Sequence, residues 1–168
     1  GLAAFCAVKL IFFVVRKMSE GQVESGFRHG QTVTACLVAL SHGTNDAQKT
    51  MGIITLTLIA VGFQPSGTGP ELWVVAICGL AIALGTYMGG WRVIRTLGKG
   101  LTEISTPQGF AAEAASATTI LVSSHMGFAL STTQVCSGSI IGTGLGKKGS
   151  KVNWGVAGKM LIAWIVTF

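Results

Sequence analysis

Polar residues interrupt an apolar segment at Ser41-His-Gly-Thr-Asn-Asp-Ala-Gln-Lys-Thr50, and this stretch decides the fold. Apolar sequence precedes it from Gln31 and follows it as far as Gly62. Residues 31–62 are too long for one membrane crossing, which needs roughly 20 residues, and their centre is too polar to stay in lipid without partners. We therefore predict a broken transmembrane helix over residues 31–62, with its gap near the bilayer midplane.

The composition is that of a membrane protein. Of the 168 residues, 49% are hydrophobic and 11% are charged, against roughly 25% charged in an ordinary soluble domain. The mean hydropathy is +0.62. The 24 glycines show no three-residue period, which excludes collagen, and they suit helices that pack closely in lipid. The four cysteines stand singly, so the sequence predicts neither a zinc site nor a disulfide framework.

Lysine and arginine mark the predicted cytoplasmic side. They cluster in three connecting segments: Arg16, Lys17 and Arg28, then Arg92, Arg95 and Lys99, then Lys147, Lys148 and Lys151. The loop at residues 62–71 has none and is therefore assigned to the outside. This distribution accounts for the net charge of +6 without nucleic acid as a partner. Because the 62–71 loop is assigned outside and the next basic segment inside, we predict that residues 72–90 form a transmembrane helix that leads back to the cytoplasm.

Residues 109–145 must then leave the cytoplasmic side and return to it. Each arm of this segment would have about 15 residues and a length of about 22 Å, against an apolar core of ~30 Å. A re-entrant helical hairpin over residues 109–145 therefore fits better than two full crossings, with its tip at Ser124–Leu130. A final helix is predicted over residues 152–168. Because the chain begins and ends inside apolar sequence, we expect it to be truncated at both ends.

Two interrupted segments in one membrane domain are typical of a secondary-transporter binding site. Asp46 at the midplane needs a partner, which is either Lys49 in a structural ion pair or a coupling cation. Thr44, Asn45 and Gln48 add neutral oxygen atoms and amide donors. Such oxygen atoms suit Na⁺, whereas hydroxyl and amide donors suit an oxyanion.

The hairpin carries the other candidates. Ser131, Thr132 and Thr133 stand where its second arm begins, and they form either a helix N-cap or, with the free N–H groups of a half-helix, a cradle for an anion. Glu113 in the first arm is either solvated near the interface or a site for a cation or proton. His42 is more readily explained as a hydrogen-bonded structural residue. No catalytic triad or nucleotide loop is present in the sequence, so we predict that the protein is not an enzyme.

Three motifs resemble the inorganic phosphate transporter (PiT) family in order and spacing: Ser41–Gly52, Gly109-Phe-Ala-Ala-Glu113 and Gly127-Phe-Ala-Leu-Ser-Thr-Thr133. The resemblance covers nearly the whole chain. It corresponds to the second, C-terminal repeat of an inverted-repeat transporter of the bacterial branch. It implies that residues 1–168 are one half of an all-α polytopic membrane protein, whose N-terminal repeat is missing from this sequence.

The resemblance also implies roles for particular residues. The phosphate would bind between the repeats, at Asn45, Asp46, Ser131, Thr132 and Thr133. The coupling cation would be held by Asp46, Glu113, Thr44 and Gln48, with Asp46 and Glu113 as the candidate Na⁺ ligands. The sequence departs from the family at three places: at Ala129 and Gln134, where proline and histidine are usual, and at the Gln48-Lys49 pair, where small residues are common.

We predict that the full protein imports inorganic phosphate by symport with Na⁺ or H⁺, as a multi-pass protein of the bacterial inner membrane. Its partners would be phosphate, the lipid bilayer and the missing repeat, and a homodimer stays open. No cofactor beyond the coupling ion is expected. A sulfate permease of the same fold is the alternative, and an anion channel is a weaker one. Asp46 favours phosphate, because protonated phosphate can donate a hydrogen bond to a carboxylate and sulfate cannot.

Overall fold

The computed structural model describes residues 1–14, 20–128, 130–147 and 149–167. Within these ranges the chain is helical, apart from its loops and one isolated bridge. The α-helices are α1 (Leu2–Val14), α2 (Glu20–Ala60), α3 (Leu72–Arg95), α4 (Thr106–His125), α5 (Thr132–Gly146) and α6 (Trp154–Thr167). A short π-helix at Thr96–Gly100 extends α3. Five residues that entered the sequence predictions lie outside the described residues: Arg16, Lys17, Ala129, Lys148 and Phe168.

The break predicted within residues 31–62 is absent. α2 has 41 residues and runs without interruption through the polar stretch. The prediction was wrong because polar side chains in this stretch bond to the helix itself and do not unwind it. Ser41 Oγ donates to the Leu37 carbonyl at 2.6 Å, and Thr44 Oγ1 donates to the Leu40 carbonyl at 2.8 Å. α2 also contains no proline, the residue that breaks a helix most effectively.

α2 and α4 lie side by side and run in the same direction. Thr34 of α2 contacts Glu113 of α4, and Asn45 of α2 contacts Ser124 of α4. Both pairs are separated by 79 residues in sequence. Because the separation stays constant along the two helices, they are parallel and keep a single register.

α4 and α5 form a helical hairpin across residues 109–145. The described residues of its tip, 126–128 and 130–131, are not helical. Gly127 has a φ of +79° there, a conformation that glycine adopts without strain. At the open end, Gln108 Nε2 donates to the Thr143 carbonyl at 3.3 Å. The beginning of α4 therefore lies against the end of α5, and the two arms are antiparallel.

The first arm of the hairpin is longer than the sequence predicted. α4 has 20 residues, which is about 30 Å of helix at 1.5 Å per residue, where the prediction gave about 22 Å. It begins early because Ser105 and Gln108 form a reciprocal capping box, and because Pro107 in the first turn has no N–H to leave unpaired. α5 is the shorter arm, with 15 residues.

Short loops hold the open end of the hairpin together. The Leu101 carbonyl accepts the Asn153 N–H at 2.8 Å, and Thr102 pairs with Val152 in the isolated antiparallel bridge. Thr102 Oγ1 also donates to the Lys151 carbonyl at 3.1 Å. The segments that enter and leave the hairpin therefore lie next to each other, at the end opposite the tip.

The tip of the hairpin reaches only part of the way along α2. Asn45 Nδ2 donates to the Leu130 carbonyl of the tip at 3.1 Å. α2 continues from there to Ala60, which is about 22 Å further along the helix axis. The non-helical tip thus lies beside the middle of a long helix.

α3 has the length and apolarity of a membrane span. Its apolar stretch, Leu72–Trp91, has 20 residues and a mean hydropathy of 1.9, and it is the one such span among the described residues. It covers the residues 72–90 of the sequence prediction. Apolar side chains such as Tyr87 and Met88 are exposed on it, at 89% and 82%. α1 and α6 are shorter apolar helices.

Candidate functional site

Asn45 joins α2 to the hairpin tip. Its side chain is 4% exposed. Nδ2 donates to the Leu130 carbonyl and to Asp46 Oδ1, both at 3.1 Å, and Asn45 Oδ1 accepts from Ser124 Oγ at 3.3 Å. The donor and acceptor atoms of this buried amide are therefore both paired, which avoids the cost of an unsatisfied polar group. Asn45 is the main polar contact between the middle of α2 and both sides of the tip.

Asp46 places a carboxylate among groups that come from α2 and α5. Lys49 Nζ donates to Oδ1 at 3.2 Å. On the other oxygen, His42 Nδ1 lies 3.3 Å from Oδ2 and Thr132 Oγ1 lies 3.5 Å from it. Asn45 Nδ2 also donates to Oδ1. Each carboxylate oxygen of Asp46 therefore has two nitrogen or hydroxyl neighbours. The two motifs predicted from the sequence, one in α2 and one at the start of α5, therefore meet at Asp46.

His42 and Lys49 belong to this cluster. The sequence analysis gave Lys49 only as a structural ion-pair partner of Asp46, a pair that the structure shows, and it gave His42 only as a structural residue. His42 Nδ1 lies 2.9 Å from Thr132 Oγ1, so it bridges the two motifs. Positions 42, 45, 46 and 49 follow the i, i+3, i+4, i+7 spacing that puts side chains on one face of a helix. That spacing was the available signal. We did not apply this spacing, because the helix was predicted to be broken here and helical spacing does not relate residues on the two sides of a break.

The serine–threonine triplet stands at the start of α5. Ser131 is the N-cap residue, with extended backbone at φ −78° and ψ 111°, yet its side chain makes no capping hydrogen bond. Thr132 is buried and bonded to the Asp46 cluster, whereas Ser131 and Thr133 are exposed. The first N–H groups of any helix lack partners within that helix. The Ser131 hydroxyl and the first turn of α5 thus present hydrogen-bond donors at an exposed surface.

Thr44 and Gln48 do not join the cluster. Thr44 Oγ1 donates to carbonyls of its own helix, at 2.8 Å to Leu40 and 3.2 Å to Ser41. Gln48 is exposed. At 100° per residue, both positions point away from the face that carries Asp46. The structure therefore separates these two predicted cation ligands from the carboxylate that they were expected to assist.

Glu113 forms a second polar site, closer to the open end of the hairpin. Its Oε2 accepts a hydrogen bond from Thr34 Oγ1 at 2.7 Å, between the parallel helices α4 and α2. Ser124, at the Asp46 cluster, is 11 positions further along α4, or about 16 Å along the axis. Within the described residues, neither of the two ion pairs involves Glu113. Asp46 and Glu113 are therefore separate sites with different surroundings.

The two carboxylates differ in how well they suit a cation. Oxygen atoms are the preferred ligands of hard cations, and the partners of Glu113 are neutral, since the Thr34 hydroxyl and the Gln31 side chain hydrogen-bond to it. Asp46 instead has an ammonium and an amide on one oxygen, and these donors take the place next to that oxygen that a bound Na⁺ would need. Among the described residues, no group of three or more His, Cys, Asp or Glu side chains could hold a metal ion.

Comparison with known proteins identifies the family of this fold. The family model described as PHO4, the Phosphate transporter family, matches residues 3–168. The chain is similar to a protein of Mycobacterium tuberculosis (strain ATCC 25618 / H37Rv) named "Probable low-affinity inorganic phosphate transporter", with 57% identity over 94% of this chain and 38% of that protein. A protein of the same name from Bacillus subtilis (strain 168) is 40% identical over 99% of this chain and 49% of its own length.

A solved structure shares the fold. It is titled "The sodium-dependent phosphate transporter", with a TM-score of 0.75 and 29% identity over 94% of this chain and 41% of that one. These findings define the class: the helical fold is shared with a solved phosphate transporter. The chain belongs to the phosphate transporter family, as its three sequence motifs indicated. It spans less than half the length of the relatives described here.

The hydrogen bonds of Asn45 predict a stability effect. Asn45→Ala in the full-length protein should lower the free energy of unfolding by about 1–3 kcal/mol, because it leaves the Leu130 carbonyl and the Ser124 hydroxyl with fewer partners in a buried site. Thermal unfolding in detergent measures this. Thr44→Ala is the matched control, since that exposed hydroxyl bonds only to its own helix. Equal melting temperatures for the two variants would contradict the assignment.

Proposed function

We propose that the full-length protein imports inorganic phosphate by symport with Na⁺ or H⁺, and that this chain supplies one of its two repeats. The observation that carries the proposal is the meeting of Asp46 on α2 with Thr132 at the start of α5. That contact brings together a carboxylate, an amide and the donor-rich beginning of a helix. Membership of the phosphate transporter family supports the choice of substrate class.

The proposed phosphate site lies at the exposed edge of this contact, with Ser131, Thr133 and Asp46 as the residues that reach the anion. Asn45 and Thr132, the other two candidates, are buried and would hold these residues in place. An anion at a helix start is stabilised by unpaired N–H groups and by the positive end of the helix dipole. The Ser131 hydroxyl makes no capping bond, so it is free to donate to an oxyanion. Asp46 would accept the hydrogen that a protonated phosphate carries.

Sulfate is the closest alternative substrate, because it has the same size and geometry but no proton at neutral pH. A carboxylate beside the bound anion accepts a hydrogen bond from protonated phosphate, whereas sulfate has no hydrogen to donate to it. An anion channel is less well supported. A pore that only passes anions gains nothing from two carboxylates within the membrane. No catalytic role is proposed for any of these residues.

Glu113 is the residue that we propose for the coupling cation. It lies between two packed helices and accepts a hydrogen bond from Thr34, and no basic side chain pairs with it among the described residues. A carboxylate in that position can bind Na⁺ with hydroxyl oxygen as a second ligand, or it can carry a proton. The relative titled as sodium-dependent favours Na⁺.

We also propose that the hairpin is re-entrant within the cell membrane of a bacterium. Its open end is held together by the Leu101–Asn153 contact, and its tip stops beside the middle of α2. Irregular backbone at membrane depth is tolerated where it lines a protein-enclosed cavity. The missing N-terminal repeat would supply the other wall of that cavity in an inverted-repeat protein. A homodimer of the full protein remains compatible with the exposed apolar face of α3.

Cysteine labelling tests this arrangement in the full-length protein, starting from a cysteine-free background. Glu103→Cys and Lys151→Cys, at the two ends of the hairpin, should react with an impermeant thiol reagent only from the cytoplasmic side. Ser66→Cys, in the loop that lacks positive charge, should react only from outside. Met126→Cys at the tip should react from outside much more slowly than Ser66→Cys. Labelling of Glu103→Cys and Lys151→Cys from opposite sides would exclude the hairpin.

Uptake tests the function. The full-length protein in liposomes should accumulate radiolabelled phosphate when Na⁺ or pH gradients are imposed separately, and unlabelled sulfate in excess should compete poorly. Asp46→Asn keeps the shape of the side chain but removes its charge, so uptake should fall at least tenfold. Glu103→Gln, an exposed carboxylate outside the site, is the control and should transport normally. If Asp46→Asn takes up phosphate nearly as fast as the control, the role of Asp46 is purely structural and the proposed role in transport is wrong.

A further inference from the structure

Lys49 lies in an unusual place for a helix-surface lysine. Its Nζ donates to Asp46 Oδ1 at 3.2 Å and to the Leu130 carbonyl at 2.9 Å. The first contact is local, three residues along α2, but the second crosses to the hairpin tip, 81 residues away in sequence. Lys49 therefore brings one positive charge to the junction between a continuous helix and a non-helical backbone segment.

The two oxygen atoms that Lys49 contacts are of the kind that bind alkali cations. A carboxylate oxygen and a free carbonyl from an interrupted segment are the ligands expected for Na⁺ at a transporter site. Asn45 Nδ2 donates to the same two atoms, at 3.1 Å each. Both side chains shown to hydrogen-bond to this pair of oxygens, Lys49 and Asn45, are thus donors, and their positive hydrogens would repel a metal cation.

An ordinary surface ion pair does not explain this arrangement. A Lys–Asp pair three positions apart on a helix needs only the two side chains, and it contributes little when it is exposed. Here Lys49 and Asp46 are 40% and 33% exposed, yet the ammonium turns towards the tip carbonyl as well. The Leu130 contact gives the ammonium the ligand set that a bound cation would have.

We propose that Lys49 is a built-in cation: its ammonium occupies the position between Asp46 and Leu130 that a coupling Na⁺ would otherwise fill, so Na⁺ does not bind at Asp46 in this protein. The inference rests on the proposed transport function for its meaning, but its test does not depend on transport. A tethered ammonium keeps Asp46 neutralised at every step and need not be recruited from solution. It leaves Glu113 as the carboxylate available to an exchangeable cation.

The experiment counts bound Na⁺. Purified full-length protein in phosphate-free detergent is equilibrated with radiolabelled ²²Na⁺, and thermal unfolding is compared in NaCl and in choline chloride. Lys49→Ala should bind one more Na⁺ per chain than the unmodified protein and should show additional stabilisation by NaCl that choline does not give. Lys49→Arg keeps the charge and should bind no more Na⁺ than the unmodified protein. Lys159→Ala, which removes an exposed lysine of α6, controls for loss of a lysine as such.

Lys49→Gln controls for a folding defect in Lys49→Ala. Its amide can still donate to the Leu130 carbonyl, but it carries no charge. It should bind the additional Na⁺ as well. The inference is overturned if the unmodified protein and the neutral variants bind equal amounts of Na⁺, or if Lys49→Arg gains as much as Lys49→Ala. Failure of the proposed function would look different: the unmodified protein would not transport phosphate, whatever the Na⁺ count.

Discussion

A backbone carbonyl that is free at the tip of a helical hairpin needs a hydrogen-bond partner where water is excluded, and α2 supplies two donors to it, Asn45 and Lys49. Because α2 remains helical, these donors stand at fixed positions on one face, and the tip has to fit that face. The parallel register of α2 and α4, kept from Thr34–Glu113 to Asn45–Ser124, brings the tip to this level. The position of α5, and of the triplet at its start, follows from the same contact.

The site combines rigid and accessible parts. Asn45 and Thr132 are buried and hold the junction together, at 4% and 5% exposure. Ser131 and Thr133 are exposed beside them, and Asp46 is one-third exposed. Buried groups that bond to one another fix the geometry of exposed groups that can bond to a ligand. An anion arriving at the start of α5 would find its donors already oriented, which reduces the cost of binding.

Much of this could be read from the sequence, and the main error, the predicted break in α2, has one cause. The hairpin followed from charge distribution and parity, and the meeting of Asp46 with the start of α5 followed from the resemblance to the family. The prediction of a break in α2 assumed that polar residues at mid-membrane must unwind a helix. Ser41 and Thr44 instead bond to their own helix, and the non-helical backbone comes from the hairpin tip alone. The helical spacing places His42 and Lys49 on the same face as Asp46, but it does not reveal their partners across the hairpin. Those contacts, to Thr132 and to Leu130 respectively, span 81 or more residues.

The central claim is that phosphate binds at the start of α5, and the phosphate affinity of Ser131→Ala tests it most directly. Loss of one hydroxyl bond to a charged acceptor costs about 1.5–3 kcal/mol, so affinity should fall roughly 10- to 150-fold. The melting temperature without phosphate should stay unchanged, because the Ser131 side chain makes no capping bond. Ser137→Ala is the control on the same helix, since that hydroxyl bonds to the Thr133 carbonyl at 2.7 Å. Unchanged affinity in Ser131→Ala would contradict the account and place the anion elsewhere.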